Sequence, residues 1–279
     1  MSFLFTKWQG CGNDFVLVDC LKEKVTDYAV LTRRVCDRHY GIGADGMIFI
    51  LPSDKADFRM RIFNTDGSEA EMCGNGIRCF ARCVYEAGHT DQTEFTVETG
   101  AGILVPRLLL ENDRVVSVRV DMGCPVLEGD KIPVSGYGMN RILHEDIEVL
   151  GQKYKMTCVS MGNPHCVVFV DDIKKVPIEE IGPAFECHSS FPKKINTEFV
   201  EVLDRSHLRM RVWERGAAIT LACGTGSCAT LVAAVLNDKT ERKADIALDG
   251  GMLTVEWAQN DHVYMTGPAE CVFSGTWNA

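Results

Sequence analysis

Residues 58–76 read FRMRIFNTDGSEAEMCGNG, and residues 208–226 read LRMRVWERGAAITLACGTG. The two stretches align without a gap at an offset of 150 residues, which places Asn64 on Glu214 and Cys73 on Cys223. Each opens on arginine alternating with apolar residues, the pattern of a half-buried strand. Each ends on a cysteine in a glycine-flanked turn, Cys73-Gly74-Asn75-Gly76 in the first and Cys223-Gly224-Thr225-Gly226 in the second.

The same offset holds on either side of these stretches. Gly12-Asn13 precedes the strand-like FVLVD of residues 15–19, and Gly162-Asn163 precedes, after Pro164 and His165, the CVVFVDD of residues 166–172. Downstream, Gly100 corresponds to Gly250. Self-similarity at one fixed spacing marks an internal duplication. After each CGxG the period changes: Ile77, Phe80, Ala81 and Val84 recur at helical spacing before Gly88, and Cys228 to Leu236 is apolar or small almost all round, so the second helix is expected to be deeply buried. The remainder reads as short strands divided by Gly, Pro, Asn and Asp, as in VRVDMGCPV (118–126) and MLTVEWAQNDHVYMTG (252–267). The expectation is an α+β fold of two pseudo-symmetric domains, each a mostly antiparallel, β-barrel-like sheet around a central helix. Residues 1–120 would form the first, with strands from about 266–279 returning to it, and residues 121–265 the second.

Composition narrows the class. A chain of 279 residues with 46% hydrophobic content can build two cores. The opening MSFLFTKWQGCGNDF lacks a basic start followed by an apolar run, and no stretch approaches bilayer length, so neither secretion nor a membrane partner is expected. Thirteen cysteines, an odd number with no CxxC pair, fit a reducing cytoplasm and give no structural-zinc spacing. A formal net charge of −10 argues against nucleic acid as a partner.

A cysteine at a helix start points to chemistry. The unpaired N–H groups and partial positive charge there can hold a carboxylate and favour a thiolate over a thiol, and the glycines admit a ligand close to the backbone. Taken singly, CGNG or CGTG reads as a tight turn entering a helix. Two related copies suggest a shared site, because inverting a stereocentre takes one group removing a proton from one face and another delivering a proton to the opposite face. Cys73 and Cys223 facing each other would supply that pair, and the helix starts would stabilise the developing carbanion.

The segments MCGNGIRCFARCVYE, ACGTGSC, GCGNDFVLVD, MGNPHCVVFV, WERGA and VYMTGPAE together closely resemble the diaminopimelate epimerase family across nearly the whole chain. The resemblance implies conversion of LL-2,6-diaminopimelate to the meso form on the route to lysine and peptidoglycan, with no cofactor and no metal. It carries the catalytic pair onto Cys73 and Cys223. It carries substrate contacts onto Asn13, Asn64, Gly74, Asn75, Asn163, Asn196, Glu214, Arg215, Gly224 and Thr225, and gives His165 and Glu214 the role of tuning the cysteines. A homodimer is also implied. Two positions depart from the pattern: Gly46 stands where some members carry Gln, and Phe273 where some place a dimer-contact Tyr.

The nearest alternative is a proline or hydroxyproline racemase, which uses the same two-thiol logic but typically has His after the first Cys-Gly, where this chain has Asn75. A thiol redox protein and a non-catalytic amino-acid-binding module are alternatives from other classes, and hydrogen exchange at the substrate carbon separates them from an epimerase.

Overall fold

In the computed structural model, which describes residues 2–278, the chain divides into two units. One runs from the N-terminus through Asp121 and takes up the chain again from Thr266; the other is Met122–Met265.

The first unit begins with β1 (Ser2–Gly10) and β2 (Asn13–Asp19), followed by α1 (Tyr28–Val35), β3 (Gly46–Leu51), β4 (Phe58–Asn64) and the short β5 (Glu69–Ala70). Then come α2 (Gly74–Glu86), β6 (Val97–Thr99), β7 (Gly102–Leu104), and the hairpin of β8 (Arg107–Glu111) and β9 (Arg114–Asp121). The second unit holds β10 (Glu145–Val149), β11 (Gln152–Ser160), β12 (Pro164–Val170), α3 (Ile178–Glu186), β13 (Asn196–Val202), β14 (His207–Glu214) and β15 (Ala218–Thr220). It continues through α4 (Gly224–Leu236), β16 (Lys243–Ala247), β17 (Met252–Trp257) and β18 (Val263–Gly267), after which β19 (Glu270–Asn278) returns to the first unit.

The duplication is written into the hydrogen bonding. In one sheet the strand order is β19-β1-β2-β3-β4-β6-β7, with β5 on β4; within the longer, 11-stranded sheet the run β10-β11-β12-β13-β14-β16-β17, with β15 on β14, repeats it. Strand β1 falls on β11, β4 on β14 and α2 on α4 at the 150-residue offset. The place that β10 fills beside β11 is filled beside β1 by β19, from the far end of the chain. Most pairings are antiparallel, but β2–β3 and β4–β6 are parallel, and so are β12–β13 and β14–β16. Parallel neighbours need a crossover, and the helices supply it.

Each unit packs its strands around one helix. Strands β1, β2, β3, β4, β8, β9 and β19 all contact α2, and β11 to β14, β16 and β17 contact α4. Helix α4 is buried on every side from Cys228 to Ala234, as its apolar circumference requires, whereas α2 leaves Arg82, Tyr85 and Glu86 toward solvent. The α+β class with a central helix in each half is as expected, but the strands close no barrel: the strand order is an open path from edge to edge. Helices α1 and α3 add to the one main helix per domain that the sequence suggested. They are short, and α3 carries Gly182 and Pro183, which mask its period. Gly182 is required there, because a Cβ would lie 2.5 Å from the Trp213 ring. Among the described residues no helix is long and apolar enough to cross a membrane.

Candidate active site

Cys73 is the N-cap of α2, in extended conformation, and its Sγ accepts the Gly76 N–H at 3.5 Å. Cys223 occupies the same place on α4, with Sγ accepting the Gly226 N–H at 3.3 Å. A thiol here takes the role that Ser or Asp usually fills at an N-cap, so part of the helix field falls on the sulfur.

Around Cys73 the first unit brings together Asn13 and Asn75. The Cys73 thiol donates to Asn13 Oδ1 at 3.7 Å, and Asn75 Nδ2 donates to the same oxygen at 3.1 Å. Asn13 follows Gly12, whose φ of 81° is the left-handed conformation a glycine adopts freely; Gly162, at 95°, repeats the turn before Asn163. Asn75 is buried, and its Oδ1 has no hydrogen-bond partner. Beneath the first turn of α2, fully buried Arg78 donates to Gly74 O at 3.0 Å, to Pro268 O at 3.1 Å and to Cys11 Sγ at 3.8 Å, which fastens the helix start to the returning chain. Asn64, at the end of β4, is exposed and donates to Ser68 Oγ at 3.0 Å.

The second unit is built differently around its cysteine. The Thr225 hydroxyl lies 3.6 Å from Cys223 Sγ, and Glu214, at the end of β14, is hydrogen-bonded by the Thr220 hydroxyl. His165 is fully buried between Glu198 Oε1, 2.7 Å from Nδ1, and Asn163 Oδ1, 2.9 Å from Nε2. Asn196 opens β13 as a buried clamp: its Nδ2 donates to Pro164 O at 2.8 Å, and its Oδ1 accepts the Arg215 N–H at 2.9 Å. The Arg215 guanidinium is exposed and rests on Lys193 O at 3.0 Å.

The charge around Cys223 departs from what a helix start alone suggests. Burial pushes the Cys223 thiol well up, and the nearby Glu214 and Glu198 carboxyls push it further, against the opposing bonds from Thr225 and Gly226. One helix N-terminus is outweighed by desolvation and two acids, so this cysteine rests as a thiol. Burial likewise raises Glu214 above the usual carboxylate range, countered in part by Thr220, Cys223 and His165. Among the described residues no cluster of three or more His, Cys, Asp or Glu side chains is arranged to hold a metal ion.

Three residues near these sites have no counterpart in the motif reading. Asp45 binds Asn13, Glu198 binds His165 and Arg78 anchors α2. For Glu198 a signal existed: at the 150-residue offset it falls on Ile48, within the wholly apolar GMIFIL of β3.

Comparison with known proteins agrees with this architecture. The chain has the fold of a Bacillus anthracis phenazine biosynthesis protein of the PhzF family (TM-score 0.72, 18% identity, all of both chains). It shares it also with a hydroxyproline epimerase from Agrobacterium vitis (TM-score 0.68, 14% identity, 99% of this chain and 92% of that one). The family model for diaminopimelate epimerase matches residues 5–128 and 157–272. The diaminopimelate epimerase of Moorella thermoacetica is 58% identical over 273 residues, covering 97% of this chain and 98% of the relative. That of Methanococcus maripaludis strain C6 is 53% identical over 272 residues, with 97% and 98% covered. The chain belongs to the diaminopimelate epimerase family.

Proposed function

We propose that the protein epimerises LL-2,6-diaminopimelate to the meso form without a cofactor, using Cys73 and Cys223 as the two acid/base groups. The observation that carries this is the repeated cysteine N-cap: two thiols at equivalent helix starts, each taking the third N–H of its helix. One sulfur, as thiolate, takes the α-proton while the other, as thiol, gives a proton to the opposite face of the carbon. One C–H and one S–H bond break as one S–H and one C–H form, and no electrons are lost or gained. The reverse reaction exchanges the roles of the sulfurs.

The substrate carries two amino-acid ends, one reacting and one recognised. Backbone N–H groups at Gly74, Asn75, Gly224 and Thr225 suit the reacting carboxylate, and the buried, unpartnered Asn75 Oδ1 suits its ammonium. Arg215, Asn64, Asn163 and Asn196 suit the remaining carboxylate, with Glu214 for the distal ammonium. Reduced protein incubated with LL-diaminopimelate in deuterium oxide should give meso product carrying α-deuterium; absence of both refutes the reading, and proline and hydroxyproline are then the substrates to try.

The protein is further proposed to work in the cytoplasm as a homodimer. All thirteen cysteines are thiols, which suits a reducing compartment. Strand β19 lies at the edge of its sheet, and with β1 it exposes Leu4, Val272 and Phe273, apolar area of the kind that marks an interaction surface. Sedimentation should give a dimer that Phe273→Glu weakens; a wild-type monomer at micromolar concentration rules it out.

A further inference from the structure

Glu198 is fully buried in β13, and only one of its carboxyl oxygens has a hydrogen-bond partner. Oε1 lies 2.7 Å from His165 Nδ1, while Oε2 has none. The opposite ring nitrogen, Nε2, lies 2.9 Å from Asn163 Oδ1. Both nitrogens of the ring therefore face oxygen, and an N···O contact of this length needs a proton between the two atoms. The bond from the ring to Oε1 gives the buried carboxyl a partner in place of water. On the Nε2 side the proton comes from the ring, because an amide oxygen only accepts. Asn163 is thereby held with Oδ1 against the imidazole and its Nδ2 donor turned away from it.

The first unit holds its equivalent asparagine in another sense. There Phe15 and Ile48 stand where His165 and Glu198 stand in the second unit. Asn13 gives its Nδ2 to Asp45 and turns its Oδ1 to Cys73 and Asn75. The two asparagines of the duplicated turn are thus oriented by different acids, one directly and one through an imidazole.

We propose that Glu198 is a positioning residue which, through His165, fixes the Asn163 amide with its donor end available to a carboxylate of the amino-acid substrate. This rests on the epimerase reading above, and it adds the acid that sets the orientation of one substrate contact.

The test uses the full-length reduced protein. In substrate-free protein labelled with ¹⁵N-histidine, with His165 assigned by its loss in His165→Phe, Nε2 of His165 should carry a proton. Glu198→Leu should raise KM for LL-diaminopimelate about tenfold with a smaller change in kcat, the scale of losing one well-made hydrogen bond at the substrate. Glu198→Gln, whose amide can donate to Nδ1 and leave the proton on Nε2, should stay within about threefold of wild type. Adding Glu198→Leu to His165→Phe should raise KM no further, since the acid acts only through the ring. An unprotonated Nε2 in the wild type, an unchanged KM in Glu198→Leu, or additive effects in the double variant would overturn the proposal. Should Glu198→Leu fail to fold, the wild-type spectrum and the Gln variant decide. Failure of the wild type to exchange the α-hydrogen would instead overturn the epimerase reading, and the spectrum, which needs no turnover, keeps the two results apart.

Discussion

Asn13 Nδ2 donates to Asp45 Oδ2 at 2.8 Å, across 32 residues of chain, and this bond sets which end of the Asn13 amide faces Cys73. Asp45 is held in turn by Arg38 at 2.8 Å. Arg38 also binds Asp14 at 2.9 Å, and nearly buried Lys7 closes the network on Asp14 at 2.6 Å. Burial works to raise Asp14, but the bonds from Arg38 and Lys7 outweigh it and hold the carboxyl below its usual range. Asn13 is thus oriented by an ion network open to solvent at Asp45 and Arg38.

Removing that anchor should loosen the amide without emptying the site. Asp45→Ala is expected to raise KM about tenfold and to lower kcat by less, since a hydrogen bond to a charged group contributes about 1.5–3 kcal/mol and water can replace part of it at an exposed position. Steady-state kinetics with LL-diaminopimelate check this; unchanged constants would show that Asn13 keeps its orientation unaided.

Each thiol alone should be insufficient. Cys73→Ala and Cys223→Ala are each expected to lower epimerisation by about 10³-fold or more, in line with the loss of an acid/base group that completes a proton transfer. Urea unfolding should stay close to wild type. Near-wild-type turnover by either variant would sink the two-base assignment.

The two helix starts should answer differently to the same small substitution. At Gly76 a new Cβ would meet the flexible ends of Ile48 and Ile62 at 3.1 and 3.2 Å. The gain in helix propensity, up to about 1 kcal/mol, should leave Gly76→Ala near wild type in stability. At Gly226 the Cβ would sit 2.6 Å from Glu198 Oε1 and 3.1 Å from Cys223 Sγ. Glu198 is tied to His165 and has no room to yield, so Gly226→Ala should destabilise by about 1–3 kcal/mol, the range for overpacking. Urea midpoints of the two variants decide, and equal midpoints would contradict the close fit of Glu198 under α4.

Alkaline pH should weaken the fold. Burial pushes the Cys36 and Cys83 thiols up to about 12, and Cys223 is also raised. In the unfolded chain these groups ionise near about 8.5. Above that pH the unfolded state binds fewer protons than the folded one, so stability falls as pH rises, by about 1.4 kcal/mol per pH unit for each such thiol until the folded group itself ionises. Their contribution is fully present below about pH 8.5. Urea midpoints under reducing conditions at pH 8, 9 and 10 should therefore decline in step; a flat profile would show that these thiols are not held neutral.

Local pattern made much of the architecture legible. The alternation in FRMRIFN and LRMRVWE is that of β4 and β14, and the change of period after each CGxG marks the start of α2 and α4. The short helices α1 and α3 were not legible, because eight or nine residues give barely two turns in which a period can show. What buries Asn196 at the head of β13 is its bonding to Pro164 and Arg215, 32 and 19 residues away, which no local window contains.

The sequence by itself determined the duplication, the strands and central helices of each half, and the placing of Cys73 and Cys223 where a helix begins. These follow from periodicity and turn chemistry, which act over a few residues. Only the tertiary structure decided which acid stands behind each asparagine and what state Cys223 keeps. The parallel pairing of β2 with β3 brings Asp45 to Asn13, and that of β12 with β13 brings Glu198 to His165. The charge on a buried thiol depends on how much water the whole fold removes and on which carboxyls remain beside it, quantities set by contacts between segments distant in the chain.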